Sequence, residues 1–209
     1  MSEAKRKPKI QPRREKILDE AIRMLGEHGF KGLTVQALAE RCDISNAGLL
    51  YYFRSKDDLL LAVLDEFEAR EREALKPLFE RIEAHRGDPE QTWFAIVELL
   101  HEMVARFASK PDLARLLYVL QAEALDHTHI AHDWFGKRED MTLELLTSLL
   151  DRFVPDATAT GRRLVASMHG LGQHWLRRDM SFDLLEEWRA LSALVLAPQE
   201  AAADRRARR

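Results

Sequence analysis

The stretch from Thr34 to Lys56, TVQALAERCDISNAGLLYYFRSK, constrains the fold more than any other part of the chain. Thr34 is placed to cap a helix whose first turn is Val35, Gln36 and Ala37, its hydroxyl accepting a backbone N–H left free at the helix start. That helix runs to about Cys42. Asp43 falls where the chain must turn out of it, and Asp is among the few residues besides Gly that tolerate the left-handed conformation of such a turn. Ser45 then caps a second helix. Leu38 and Ala39 face Ile44 and Leu49 across the turn, and the small Ala39 lets the two backbones approach closely, which is the packing of a helix-turn-helix. With Leu38, Cys42, Ile44 and Leu49 turned inward, Asn46, Ala47, Leu50 and Tyr51 project outward with few charges. Such a face suits the floor of a groove.

The longer segment GFKGLTVQALAERCDISNAGLLYYFRSKDDLL resembles the signature of the tetracycline-repressor (TetR) family of bacterial transcription regulators. The resemblance covers roughly Arg13 to Leu64 and is carried by Gly29, Phe30, Thr34, Ala39, Ser45, Leu49, Phe53, Lys56 and Leu59 in that order. Asp43 stands where the family usually has Gly, and Leu50 where a phosphate-contacting Tyr is usual, which moves the aromatic contact onto Tyr51 or Tyr52. The resemblance implies an all-α fold: an N-terminal three-helix bundle with the helix-turn-helix, then a larger C-terminal helical domain for ligand binding and dimerisation. The total is about nine helices by periodicity.

Charge agrees with a head and a body of different character. The net charge is only −3, but residues 1–56 hold 12 Lys and Arg against 7 Asp and Glu, whereas residues 57–209 hold 20 against 28. A basic head on an acidic body points one end at polyanions. With 209 residues and 46% hydrophobic content the chain can bury an ample core in one or two domains. One Cys excludes an internal disulfide, no apolar run reaches the roughly 18 residues of a membrane helix, and no apolar signal segment opens the chain, so a cytoplasmic location is expected.

In chain order, residues 1–12 form a basic arm with Lys5, Arg6, Lys7 and Lys9 beside Pro8 and Pro12, too polar to order itself. It reads equally as a solubilising tail or as an arm along phosphates or in a minor groove. Ile17, Leu18, Ala21, Ile22, Met24 and Leu25 recur at helical spacing between Arg13 and His28, with Gly29 as a stop. Residues 13–56 thus make the DNA-binding head. Ser55 caps a fourth helix, with Lys56 in its first turn, where an ammonium opposes the helix dipole unless that end faces a phosphate. This helix carries pairs Glu66/Arg70 and Glu68/Arg72, and Pro77 is expected to kink or end it. After Gly87-Asp88-Pro89, long apolar helices are expected over Thr92 to about Ala108, Asp112 to about Leu125, His132 to about Phe153, Ala159 to about Arg178 and Ser181 to about Leu196. They fill a body of residues 57–197, and residues 198–209 read as a disordered basic tail.

Matched onto the family's motif positions, Thr34, Ser45, Tyr52 and Lys56 are expected to grip phosphates. Gln36, Asn46, Ala47, Gly48 and Tyr51 are expected to face base edges, where Asn or Gln pairs with adenine and Ala or Gly admits a thymine methyl. Two such heads in a homodimer would read a palindromic double-stranded operator. For the dimer, LVASMHGLGQHWL is similar to a segment of one subgroup of the family, in which the last two long helices pair with their twins. The interface expected here uses Leu164, Met168, Leu171, Trp175, Leu184, Trp188, Leu191 and Val195, and Gly170 and Gly172 suggest close packing or a ligand.

A small-molecule effector of unknown identity is expected in an apolar cavity lined by Trp93, Val97, His101, Phe107, Leu117, Tyr118, Gln121, Met141, Met168, His169 and Gln173, against the alternative that each is ordinary core. His127, His129, His132 and Asp133 have no metal-site spacing, no cofactor is implied, and no nucleophile–base–orienter set supports an enzyme. The reading is a repressor released from its operator by an effector. Two alternatives stand beside it: a helical carrier or enzyme with a vestigial head, and a DNA-binding regulator governed by a protein partner without a ligand.

Overall fold

The computed structural model describes residues 10–197, among which every regular element is a helix. In chain order these are α1 (Ile10–Gly32), α2 (Val35–Arg41), α3 (Asn46–Tyr52), α4 (Lys56–Ala84), α5 (Pro89–Ala108), α6 (Pro111–Glu123), α7 (His132–Leu150), α8 (Ala157–Arg177) and α9 (Leu184–Leu196). Most of the expected arm and all of the expected tail lie outside the described residues; of the arm, only residues 10–12 are described, and they already belong to α1.

The chain divides into two units. The first contains α1 to α3, α4 as far as Ala74, and residues 110–135 with α6. Its core is built on Ile17, Leu18, Ala21 and Leu25 of α1, Leu38 and Ala39 of α2, Leu49 of α3, Leu59, Leu60, Val63 and Leu64 of α4, and Leu116 and Leu120 of α6. Gly29 breaks α1 locally with φ 67°, a left-handed backbone that suits a residue without Cβ, and the helix resumes for one more turn. Gly26 also has a packing reason, because a Cβ there would come within 3.0 Å of the Asp112 Cβ. Arg41 spans from α2 to α1, bonding Glu20 at 3.1 Å and Glu27 at 3.0 Å. Arg70 is held between Glu66 of its own helix and Asp19 of α1, both at 2.7 Å. The expected pair Glu68/Arg72 forms as well, at 3.6 Å.

The second unit contains, of the described residues, 75–109 and 136–197. Ile96, Leu99 and Leu100 of α5, Leu146 and Leu150 of α7, Leu164 and Trp175 of α8, and Leu184 and Trp188 of α9 make its core. Trp188 is wholly buried and its indole N–H donates to the Leu100 carbonyl at 3.1 Å, so its one polar atom is satisfied in the interior. Gly161 lets α8 approach α7: a Cβ there would sit 3.3 Å from the Leu146 Cβ.

Pro77 does not end α4, which runs on to Ala84. A proline removes one i→i−4 bond, here the one to the carbonyl of Glu73, and both Glu73 and Pro77 are exposed, so water can satisfy the freed oxygen. Gly170 is not demanded by packing within the chain either, since nothing lies within 4 Å of the Cβ it lacks.

Candidate functional site

The recognition geometry is assembled by local capping. The Thr34 hydroxyl accepts the Ala37 N–H at 3.1 Å and starts α2. The chain leaves α2 through Asp43, at φ 54°, while Ile44 N–H donates to the Ala39 carbonyl at 3.0 Å and closes the turn. The Ser45 hydroxyl accepts the Gly48 N–H at 3.0 Å and starts α3, and a Cβ on Gly48 would crowd that oxygen at 3.2 Å. In both caps the hydroxyl oxygen is the acceptor, so the O–H remains able to donate to a phosphate.

With Leu49 buried, α3 turns Asn46, Ala47, Leu50 and Tyr51 to solvent, Tyr51 being 73% exposed. Tyr52 is half-buried on the unit's core and meets Tyr51 edge to face at 5.4 Å. The two tyrosines therefore divide their work: Tyr51 is free to reach outward, and Tyr52 anchors it. Gln36 is exposed, with its amide donating to Glu40 at 3.0 Å. Lys56 opens α4 with its Nζ 4.1 Å from the centroid of Phe30. Two basic residues not singled out from sequence flank this surface. Arg14 stacks over Phe53 at 5.2 Å, and Arg13 donates to the Asp43 carbonyl at 3.4 Å. Cys42 belongs to the core, where burial raises its thiol pKa.

The second unit holds a cavity of about 880 Å³ lined by α5, the α7–α8 connection, the start of α8 and the end of α9. Of the residues expected at an effector site it brings together Trp93, Val97 and His101. It adds Phe153, Thr160, Arg163, Arg189 and Ser192, which sequence reasoning did not assign to a ligand. The other expected lining residues lie elsewhere. Leu117 is in the core of the first unit, with Tyr118 and Gln121 on the same helix. Phe107 and Met168 pack half-buried on the second unit's core, Met141 and Gln173 are exposed, and His169 is half-buried. Burial, aided by the charge of Arg138, holds His169 below the ordinary histidine pKa.

The expected dimer face needs correction on the same grounds. Leu164, Trp175, Leu184 and Trp188 are buried in the unit's own core and unavailable to a second chain. Met168, Leu171, Leu191 and Val195 are half-buried. The exposed positions of these two helices include Ala166, Gly170 and Gln173 on α8 and Ala190 and Leu194 on α9, Leu194 being 76% exposed, among charged residues such as Arg162, Arg163, Glu186 and Arg189.

A small basic head with a capped, solvent-facing second helix defines a helix-turn-helix DNA-binding protein. The family model for bacterial regulatory proteins of the tetR family matches residues 17–63. The HTH-type transcriptional repressor AcnR of Corynebacterium diphtheriae is 28% identical over 182 residues, covering 84% of this chain and 74% of the relative. A TetR transcription regulator from Haloarcula marismortui superposes with a TM-score of 0.70 at 24% identity, covering 89% of this chain and 97% of that one. A SmeT–triclosan complex gives a TM-score of 0.70 at 17% identity over 90% and 91% of the two chains. Residues 17–63 carry the tetR-family DNA-binding segment, and the chain is a DNA-binding transcription regulator similar to TetR-type repressors. No helix among the described residues is long and apolar enough to cross a membrane.

Proposed function

We propose that the protein is a homodimeric repressor that grips a palindromic operator with residues 13–56 and is released when a small molecule binds the body of residues 57–197. The observation that carries the DNA half is the division of α3 into a buried Leu49 and an exposed Asn46, Ala47 and Tyr51. In this reading Thr34, Ser45, Tyr52 and Lys56 position the head on phosphates, and Gln36, Asn46, Ala47, Gly48 and Tyr51 meet base edges. Gln36 must leave Glu40 to do so, a small cost for an exposed pair. The two heads would sit about 34–36 Å apart, in successive major grooves.

The cavity of the second unit supports the effector half, as does the similarly folded SmeT, solved in complex with triclosan. A ligand acts only through its difference in affinity for the DNA-competent and DNA-incompetent states, so a few kcal/mol suffices. A cytoplasmic location and the lack of an enzymatic role follow from the same assignment. Mobility shift against the promoter beside the protein's own gene, with salt varied, tests it. Affinity should fall steeply with salt, with a slope near −0.9 for each phosphate neutralised. A flat salt response, or equal binding to unrelated duplexes, would remove the sequence-reading role.

A further inference from the structure

The walls of the cavity combine cations with a flat apolar surface, and that pairing selects a class of ligand. Trp93 and Phe153 form one wall, their ring centroids 5.3 Å apart and their planes inclined by 39°. Val97, Val154, Val195 and Leu196 extend it. Arg163 of α8 and Arg189 of α9 line the same space, and neither is engaged in an ion pair among the described residues. The one acidic lining residue, Asp156, has its Oδ1 occupied by the Ala159 N–H at 2.9 Å, where it caps α8. The Ser192 hydroxyl donates to the Arg189 carbonyl at 3.2 Å, which ties the Arg189 backbone in place. His101 adds no third cation, because burial and then the positive charge of Arg189 hold its pKa below the ordinary value and leave the ring neutral at neutral pH. A cavity of about 880 Å³ lies within the range of small-molecule sites.

We propose that this cavity binds an organic oxyanion with a flat apolar body, the head held by Arg163 and Arg189 and the body lying against Trp93 and Phe153. Guanidinium forks match carboxylate and phosphate oxygens in pairs, and a charge-assisted bond of this kind is stronger than a neutral one. A neutral or cationic molecule of the same shape fills the apolar wall but leaves both exposed guanidinium groups to water. The inference deepens the effector reading given above and rests on it for its consequence at DNA, not for the binding itself.

Titration calorimetry on the full chain separates the contributions, using 2-naphthoate, its uncharged methyl ester, 2-naphthylmethylammonium and acetate. The naphthoate should bind at least about tenfold tighter than the ester and the ammonium, from the strength of hydrogen bonds to charged groups, and acetate should not bind. Arg163→Gln and Arg189→Gln should each weaken naphthoate by about tenfold on the same ground and leave the ester unchanged, while Arg189→Lys, which keeps the charge, should retain part of the affinity. Absence of naphthoate binding, equal affinity for ester and acid, or an unmoved affinity in the double Arg163→Gln/Arg189→Gln variant overturns the proposal. Naphthoate that binds as described but leaves the DNA complex intact in a mobility shift sustains it and sinks the effector reading instead.

Discussion

Lys56, the first residue of α4, holds its ammonium 4.1 Å from the ring centroid of Phe30, just beyond the break in α1 at Gly29. The contact fixes a charge that would otherwise oppose the helix dipole. It also presents that charge on a short tether beside the capped start of α4, where the Ser55 hydroxyl accepts the Asp58 N–H at 3.0 Å. Lys56→Ala should therefore do two things. It should cost about 0.5–1 kcal/mol of stability, the range of a partly exposed cation–π contact. It should also weaken binding to all duplexes alike, lowering the salt slope by about one. Phe30→Leu should reproduce part of the first effect without the change in slope. Chemical denaturation and salt-dependent mobility shift read the two separately.

Asn46 offers the opposite signature. It is exposed at the start of α3, on the face shared with Ala47 and Tyr51, and contributes no charge. Asn46→Ala should relax discrimination at one base pair by about 1–3 kcal/mol, the value of a bidentate adenine contact. The salt slope should stay put. Binding to a library of operators with single substitutions checks this, and a sequence-blind loss equal to that of Lys56→Ala would refute the division of labour between the two residues.

What was legible in the sequence is what is local. The caps at Thr34, Ser45 and Ser55 each join a hydroxyl to an N–H three residues on, so residue type and spacing suffice to find them. Helix limits in the body followed only approximately from Pro and Gly punctuation: the break at Gly87-Asp88-Pro89 places the helix start at Thr92, whereas the Asp88 carboxylate caps α5 so that it begins at Pro89. The burial of Trp188 did not follow. Its partner, the Leu100 carbonyl, is 88 residues away, and periodicity cannot say which apolar stripe of a helix faces its own core and which faces outward. The cavity was half-found for the same reason. Trp93, Val97 and His101 share one stripe of α5, but Arg163, Arg189 and Ser192 join them only through the packing of α8 and α9.

Asp43 occupies a left-handed position, φ 54°, between the two helices of the motif. Its carbonyl receives Arg13, an interaction any residue can keep. The side chain matters chiefly for what backbone it tolerates. Asp43→Val should cost about 1–2 kcal/mol, because a β-branched residue is strained there, and Asp43→Gly should show no such loss. Thermal melts of the two variants measure the difference, and equal melting temperatures would show that the turn relaxes around either residue.

Acid should weaken the fold before carboxylates begin to titrate. His101 and His169 both have pKa values below the ordinary 6.5, chiefly through burial and then through Arg189 and Arg138 respectively. Between the folded and unfolded values the unfolded chain binds more protons, so stability rises with pH across that window and is lost as pH falls below about 6.5. Replacing both residues with Gln should flatten the dependence of the melting temperature between about pH 7.5 and pH 5.5. An unchanged slope in that variant would assign the acid sensitivity to other groups.

Two apolar residues of α9 separate the interior from the proposed dimer surface. Leu194 is 76% exposed, whereas Trp188 is fully buried with its N–H satisfied by Leu100. Leu194→Arg should leave the melting of the isolated chain within about 0.5 kcal/mol, as surface changes do, yet convert a dimer to a monomer in sedimentation. Binding to a two-half-site operator would then collapse while binding to a single half-site persists, because one head retains its contacts and only the linkage between heads is gone. Trp188→Ala should instead cost about 3–5 kcal/mol through the cavity it leaves. If Leu194→Arg remained dimeric, the outer stripe of α9 would not be the contact between chains, and the spacing of the two heads would have to be set by another surface.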